Sequence, residues 1–291
     1  MPLPPKPAIS RKENPMKKHG TTIILLIVFI VGLSLLLYPT FADWWNSMHQ
    51  SRAVASYVEQ VANIDEDQYE GLWNAAWEYN MSIKDRTNTF VLSDEEKEEY
   101  AQLLNVGGTG IMGYIEVPGI GVTLPIYHGT DESVLQVAIG HLEWTSLPVG
   151  GQSSHCVVSG HRGLPSARLF TDLDRLVVGD LFMIRVLDEI LTYEVDQILI
   201  VEPHETEALM VERGQDLCTL VTCTPYGINS HRLLVRGHRV ETQEEAQAVR
   251  VTADATQIKP IIVAPLVALP ILLILLIGLM LPKPRKRRFD L

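Results

Sequence analysis

The sequence predicts a mainly β domain, a closed or nearly closed barrel with short helices, behind a helical N-terminal extension and between two membrane helices. Three observations predict it. Apolar runs without charge stand near both ends of the 291-residue chain, at 21–38 and 261–281. Between them apolar residues recur at helical spacing up to about Leu104. From Gly110 onward they alternate instead.

Residues 1–20 form a basic tail, with Lys6, Arg11, Lys12, Lys17 and Lys18 against Glu13. The run "TTIILLIVFIVGLSLLLY" opens a membrane helix over 21–40, because about 20 apolar residues cross a bilayer. A cleaved signal peptide is the alternative, but the run is long and no small-residue cleavage site precedes Trp44–Trp45. Residues 42–109 read as an extracytoplasmic helical region. "SRAVASYVEQVANI" has helical spacing, and Ser93 followed by Glu96 in "SDEEKEEYAQLL" forms a capping-box pattern. Between these, residues 80–92, "NMSIKDRTNTFVL", form a loop that is a plain connector or a flap.

The barrel occupies 110–240. "IMGYIEVPGIGVTLPIYHG" gives two short strands around Pro118–Gly119, "HCVVSGHRG" a buried strand ending in a loop, and "LTYEVDQ" a half-buried strand. "DLCTLVTC" and "RLLVRGHRV" complete the set, with brief helical inserts near 131–138 and 205–212. Residues 241–258 form a polar stem, 261–281 a second membrane helix that tolerates Pro265, Pro270 and the adjacent Pro282, and 282–291 a second basic tail. Basic flanks stay cytoplasmic, which places residues 42–258 outside. Removing the +4 of each tail and the charge of Lys259 from the total of −11 leaves −20 on that domain. Such a charge argues against nucleic acid or an anionic membrane surface as its partner.

Three cysteines in an exported domain of this size do not make a disulfide scaffold. Cys218 and Cys223 on one extended strand would lie about 16 Å apart at ~3.3 Å per residue, too far to bridge. Cys156 and Cys218 sit inside apolar strands and read as small buried residues. Cys223 differs, because it ends a strand. Leu217, Thr219, Val221 and Cys223 share one face, "TPYGINS" follows as a turn, and a returning strand brings Arg232 beside Cys223 at one rim. A cysteine nucleophile works as the thiolate, with a base or cation beside it. Among nine histidines His161 stands out, since it too ends an apolar strand and opens a Gly-containing loop. His204 lies in a charged segment, while His155, His231 and His238 read as solvated or packed. Zinc at His155, Cys156 and His161 would lack a fourth ligand, and no cofactor is called for. On spacing alone Cys223 remains a buried thiol, a ligand or a nucleophile.

"TLVTC" with an arginine nine residues after the cysteine, and "SGHRG" 62 residues before it, resembles the sortases, cysteine transpeptidases of Gram-positive bacterial surfaces. "GHLEWTSLPVGG", "GHRGLPSARLFTDLDRL" and "TCTPYGINSHRLLVRGHR" resemble class C, the pilin-polymerising sortases, over about residues 110–240. The resemblance implies an eight-stranded sortase barrel in the cell membrane, with Cys223 as nucleophile, His161 as proton-transfer partner and Arg232 beside the oxyanion. It implies substrates that carry LPxTG-like sorting signals, cleaved between Thr and Gly, and a pilin lysine as acceptor. The ectodomain holds only Lys84 and Lys97, so that amine comes from a partner. Thr222, Thr224, Tyr226, Leu147 and Pro148 are the candidate substrate contacts, and Trp144 a further groove residue. Class C sortases usually carry a lid with an Asp-Pro-aromatic motif. No such triplet occurs in 80–95, where Asp85 and Phe90 are the candidates for that task.

Two other readings belong beside this one. A sortase could join surface proteins to cell-wall peptide instead of pilin, or the barrel could be a non-catalytic pilus-assembly scaffold indifferent to loss of Cys223. The C-terminal run followed by "KPRKRR" has the shape of a sorting signal, but no LPxTG-like pentapeptide precedes it in 241–262, which favours a stable anchor.

Overall fold

The structure, a computed structural model, describes residues 15–84 and 91–242, with side chains from residue 23 onward. Asp85 and Phe90, most of the stem, the second apolar run and the C-terminal tail therefore lie outside the described residues. The first apolar run and the start of the extension form one helix, α1 (Pro15–Ala62), which continues through Pro39. At 1.5 Å per residue its 48 residues make a rod of about 72 Å. Among the described residues it is the one helix long and apolar enough to cross a membrane.

Two helices follow. α2 (Glu66–Ile83) is capped by Asp65, whose carboxylate accepts from the Gln68 amide, and α3 (Asp94–Gln102) begins with the capping box of Ser93 and Glu96. Both dock onto the barrel through side chains that satisfy backbone groups of the segment 141–149. The Asn80 amide donates to Leu147 O (3.0 Å) and accepts from Leu147 N (2.7 Å), imitating a strand neighbour. Tyr79 Oη donates to Glu143 O at 3.0 Å, and Tyr100 Oη lies 2.9 Å from His141 Nδ1.

The barrel comprises β1 (Ile111–Val117), β2 (Val122–His128), β3 (Ile139–His141), β4 (Ser154–Ser159), β5 (Leu181–Val186), β6 (Glu189–Val201), β7 (Asp216–Thr224) and β8 (His231–Val240). Their closed order is β1-β2-β3-β4-β7-β8-β6-β5, with β1 pairing back to β5, so no edge is left open. The predicted inserts are a single turn, α4 (Glu132–Leu135), and a 3-10 turn at Glu207–Leu209. Inside, the Phe182 and Tyr193 rings stack 5.5 Å apart. They need Gly237, where a Cβ would lie 2.7 Å from Phe182 and 3.0 Å from Tyr193.

Strand direction fixes two rims. One carries the β1–β2 turn, the ends of β4, β6 and β7, and the starts of β5 and β8. The other carries the β5–β6 turn at Leu187–Asp188 and the starts of β1, β4 and β7.

Candidate active site

On β7 the side chains divide as the alternation predicts. Cys218, Leu220 and Thr222 face the barrel core, while Thr219, Val221 and Cys223 face outward. Val221 belongs to a second apolar cluster outside the barrel, formed with Val157 of β4 and Leu234 of β8. Leu209, from the 3-10 turn between β6 and β7, covers it, and Trp144 and Val201 pack at its margins. Cys223 is the next outward residue along β7 and is half-buried, so this apolar strip leads up to its thiol.

The antiparallel pairing of β7 with β8 sets Cys223 directly opposite Arg232. Arg232 Nη1 donates to the carbonyls of Asn229 (3.3 Å) and His231 (3.2 Å), which hold the guanidinium over the β7–β8 loop. β4 and β7 run parallel, with Ser159 opposite Val221 and Gly160 N donating to Val221 O at 3.0 Å. Gly160 and His161 follow directly on the end of β4, whose last residue pairs with Val221, two residues before Cys223. His161 is half-buried. Two contacts lock the strand ends together. Thr222 Oγ1, fully buried, donates to Gly160 O at 2.7 Å. Arg162, nine-tenths buried, donates to Thr224 Oγ1 (3.3 Å), pairs with Asp174 and lies over the Tyr226 ring, 6.0 Å from its centre. Tyr226 also packs on Gly163, whose φ is +77° and where a Cβ would meet the ring at 2.9 Å.

The candidate substrate contacts separate on this geometry. Tyr226 is exposed at the rim, and Thr224 is buried under Arg162. Thr222 is turned into the barrel, and Leu147 and Pro148 are buried in the segment that receives α2. These three present no surface to a peptide. The loop "GHLEWTSLPVGG" is a docking site for the helical extension, apart from Trp144 at the margin of the strip.

The remaining histidines have other partners. His155 Nε2 lies 2.7 Å from Thr219 Oγ1 and its Nδ1 2.9 Å from Met210 O. Burial pushes its pKa down, as it does that of His128. His155 and Cys156 are neighbours on β4 and point to opposite faces, so they cannot share an ion. Among the described residues no three His, Cys, Asp or Glu side chains form a metal site. Cys156 and Cys218 are register partners on β4 and β7, both buried, and burial pushes the Cys218 thiol up. Sequence reasoning missed Arg162 as the clamp between the two loops. Its signal was Asp174, the carboxylate twelve residues downstream with which it pairs.

A Sortase domain profile matches residues 115–240. The chain is 24% identical over 245 residues to a sortase A of Streptococcus agalactiae, covering 81% of this chain and 93% of that protein. Its fold is similar to that of sortase C1 from Streptococcus agalactiae, at 50% identity and a TM-score of 0.65, covering 66% of this chain and all of that one. A sortase C from Streptococcus pneumoniae matches at 43% identity and a TM-score of 0.60, covering 66% of this chain and 97% of that one.

Proposed function

Since the chain belongs to the sortases, cysteine transpeptidases, and within them to class C, we propose that it joins pilin subunits by cutting an LPxTG-like sorting signal at Cys223. The observation that carries this reading is the register that sets Cys223 opposite Arg232, with His161 on the neighbouring strand end. The Cys223 thiolate attacks the threonine carbonyl, and Arg232 offsets the negative charge that develops on its oxygen. The Thr–Gly C–N bond then breaks. The departing amine takes a proton from the His161 imidazolium, leaving a thioester on Sγ. A lysine amine of the next pilin attacks the thioester and gives a proton to His161, and the thiolate departs as the isopeptide forms.

The enzyme works outside a Gram-positive cell membrane, with α1 as one anchor and the apolar run 261–281 as a second. The test is intact mass after incubation of the full chain with a pilin bearing a C-terminal sorting signal, in parallel with Cys223→Ala. An acyl adduct or lysine-linked dimer that vanishes in the variant supports the reading. An adduct resolved only by cell-wall peptide moves the protein to surface-protein attachment. Pilus assembly that persists in Cys223→Ala leaves a scaffold.

A further inference from the structure

We propose that the rim carrying Cys223, His161 and Arg232 faces the bilayer, at the outer edge of the lipid headgroups, so that the enzyme takes its peptide at the membrane surface. This rests on the reading of α1 as an anchor and of that rim as the active site. The geometry comes from how α1 lies along the barrel. Just past its apolar run, Asp43 Oδ1 accepts from Arg168 N (2.9 Å), and Asn46 donates to Ser166 O (2.8 Å). Both partners lie in the loop that opens at His161 and returns to it, with Phe170 N donating to His161 O at 3.2 Å. One turn on, Gln50 donates to Val137 O, just ahead of β3. Further on, Tyr57 Oη donates to Met112 O (3.1 Å) and accepts from Leu187 N (2.8 Å), at the opposite rim. Leaving its apolar run, α1 therefore passes from the active rim to the far one.

Distance along the helix sets the height. The apolar run ends at Tyr38, five residues before Asp43 and eight before Asn46. At 1.5 Å per residue these lie about 8 and 12 Å beyond the hydrocarbon edge. The interfacial layer is about 5–8 Å deep on each side of a bilayer, so the His161 loop is held at its border. Phe41, Trp44 and Trp45, all exposed on α1, form the aromatic cluster expected at that depth. Val177, Val178, Tyr226 and Ile228 are exposed on the active rim. The net charge of −20 gives no attraction to anionic lipid, so the helix itself holds the rim in place.

The test places a photo-crosslinking residue at Ile228 or at Asp188 in the full-length protein, reconstituted in vesicles of phosphatidylcholine and phosphatidylglycerol. Lipid adducts at position 228 and none above background at 188 are expected. Adducts at 188 instead, or at neither position, would overturn the proposal. A flexible Gly/Ser insertion of about ten residues after Tyr38 should abolish the adducts at 228, and their persistence would likewise count against it. Cleavage of a soluble LPxTG-type peptide by the same vesicles reports on the transpeptidase reading alone. Turnover with the wrong adduct pattern therefore condemns only the orientation.

Discussion

Replacing Thr222 by Val keeps the shape of the side chain and removes one hydroxyl. That hydroxyl donates at 2.7 Å to the carbonyl of Gly160, the residue before His161, and it is 1% exposed. No water can substitute at such a site without a cavity, so the Gly160 carbonyl loses its partner and meets an apolar methyl. Leaving a buried acceptor unmatched costs about 1–3 kcal/mol, and the isosteric methyl adds no void. A domain of this size loses about 2–4 °C of Tm per kcal/mol, so Thr222→Val should lower Tm by about 2–12 °C. Calorimetry of the two proteins reads this directly, and peptide kinetics well below Tm supply the second observable. If Thr222 acts as a tie between strand ends, KM stays as it is and kcat falls by less than about tenfold, through looser placement of His161. An unchanged Tm with a raised KM would refute the assignment and restore Thr222 as a substrate contact.

Three further perturbations probe other parts of the argument. Arg232→Ala should lower kcat for peptide cleavage by about 10²–10³, the usual cost of one donor at a developing oxyanion, while Arg232→Lys recovers only part of the loss because the planar fork is gone; single-turnover mass spectrometry follows both. Gly237→Ala pushes a Cβ to 2.7 Å from Phe182, and overpacking of that kind costs about 1–3 kcal/mol, measured by denaturant unfolding. His128 and His155 have pKa values held below 6.5 by burial, so they are neutral when folded, whereas the unfolded chain takes up protons as pH falls through 6.5. Their contribution to stability is complete above pH 6.5 and is lost as pH drops from there to their folded pKa values. Tm should therefore decline on mild acidification, and less so in His155→Gln.

How much of this was legible in the sequence depended on the range of the signal. The alternation on β7 already put Thr222 on the face opposite Cys223, and the capping box of Ser93 and Glu96 marked the start of α3, because both are contacts between near neighbours. The candidate role of Thr222 followed instead from its place beside the cysteine, and in a strand the adjacent residue points the other way. The apolar run and the start of the extension form one continuous helix, with Pro39 inside it.

The placement of His161 had no local signal at all. It follows from the parallel pairing of β4 with β7, two strands 62 residues apart at matching positions, and nothing in either strand's own composition selects that partner. What makes the pairing firm lies at its end. Thr222 binds the Gly160 carbonyl, Arg162 reaches Thr224, and Tyr226 seats on Gly163, so three residues flanking His161 are each held by the segment around Cys223. Each contact uses a residue within three of Cys223 or His161. The motifs "SGHRG" and "TCTPYG" therefore carry more than the proposed reacting groups: they carry the contacts that tie the two strand ends together. This is why those two stretches point to the site when the intervening sequence does not.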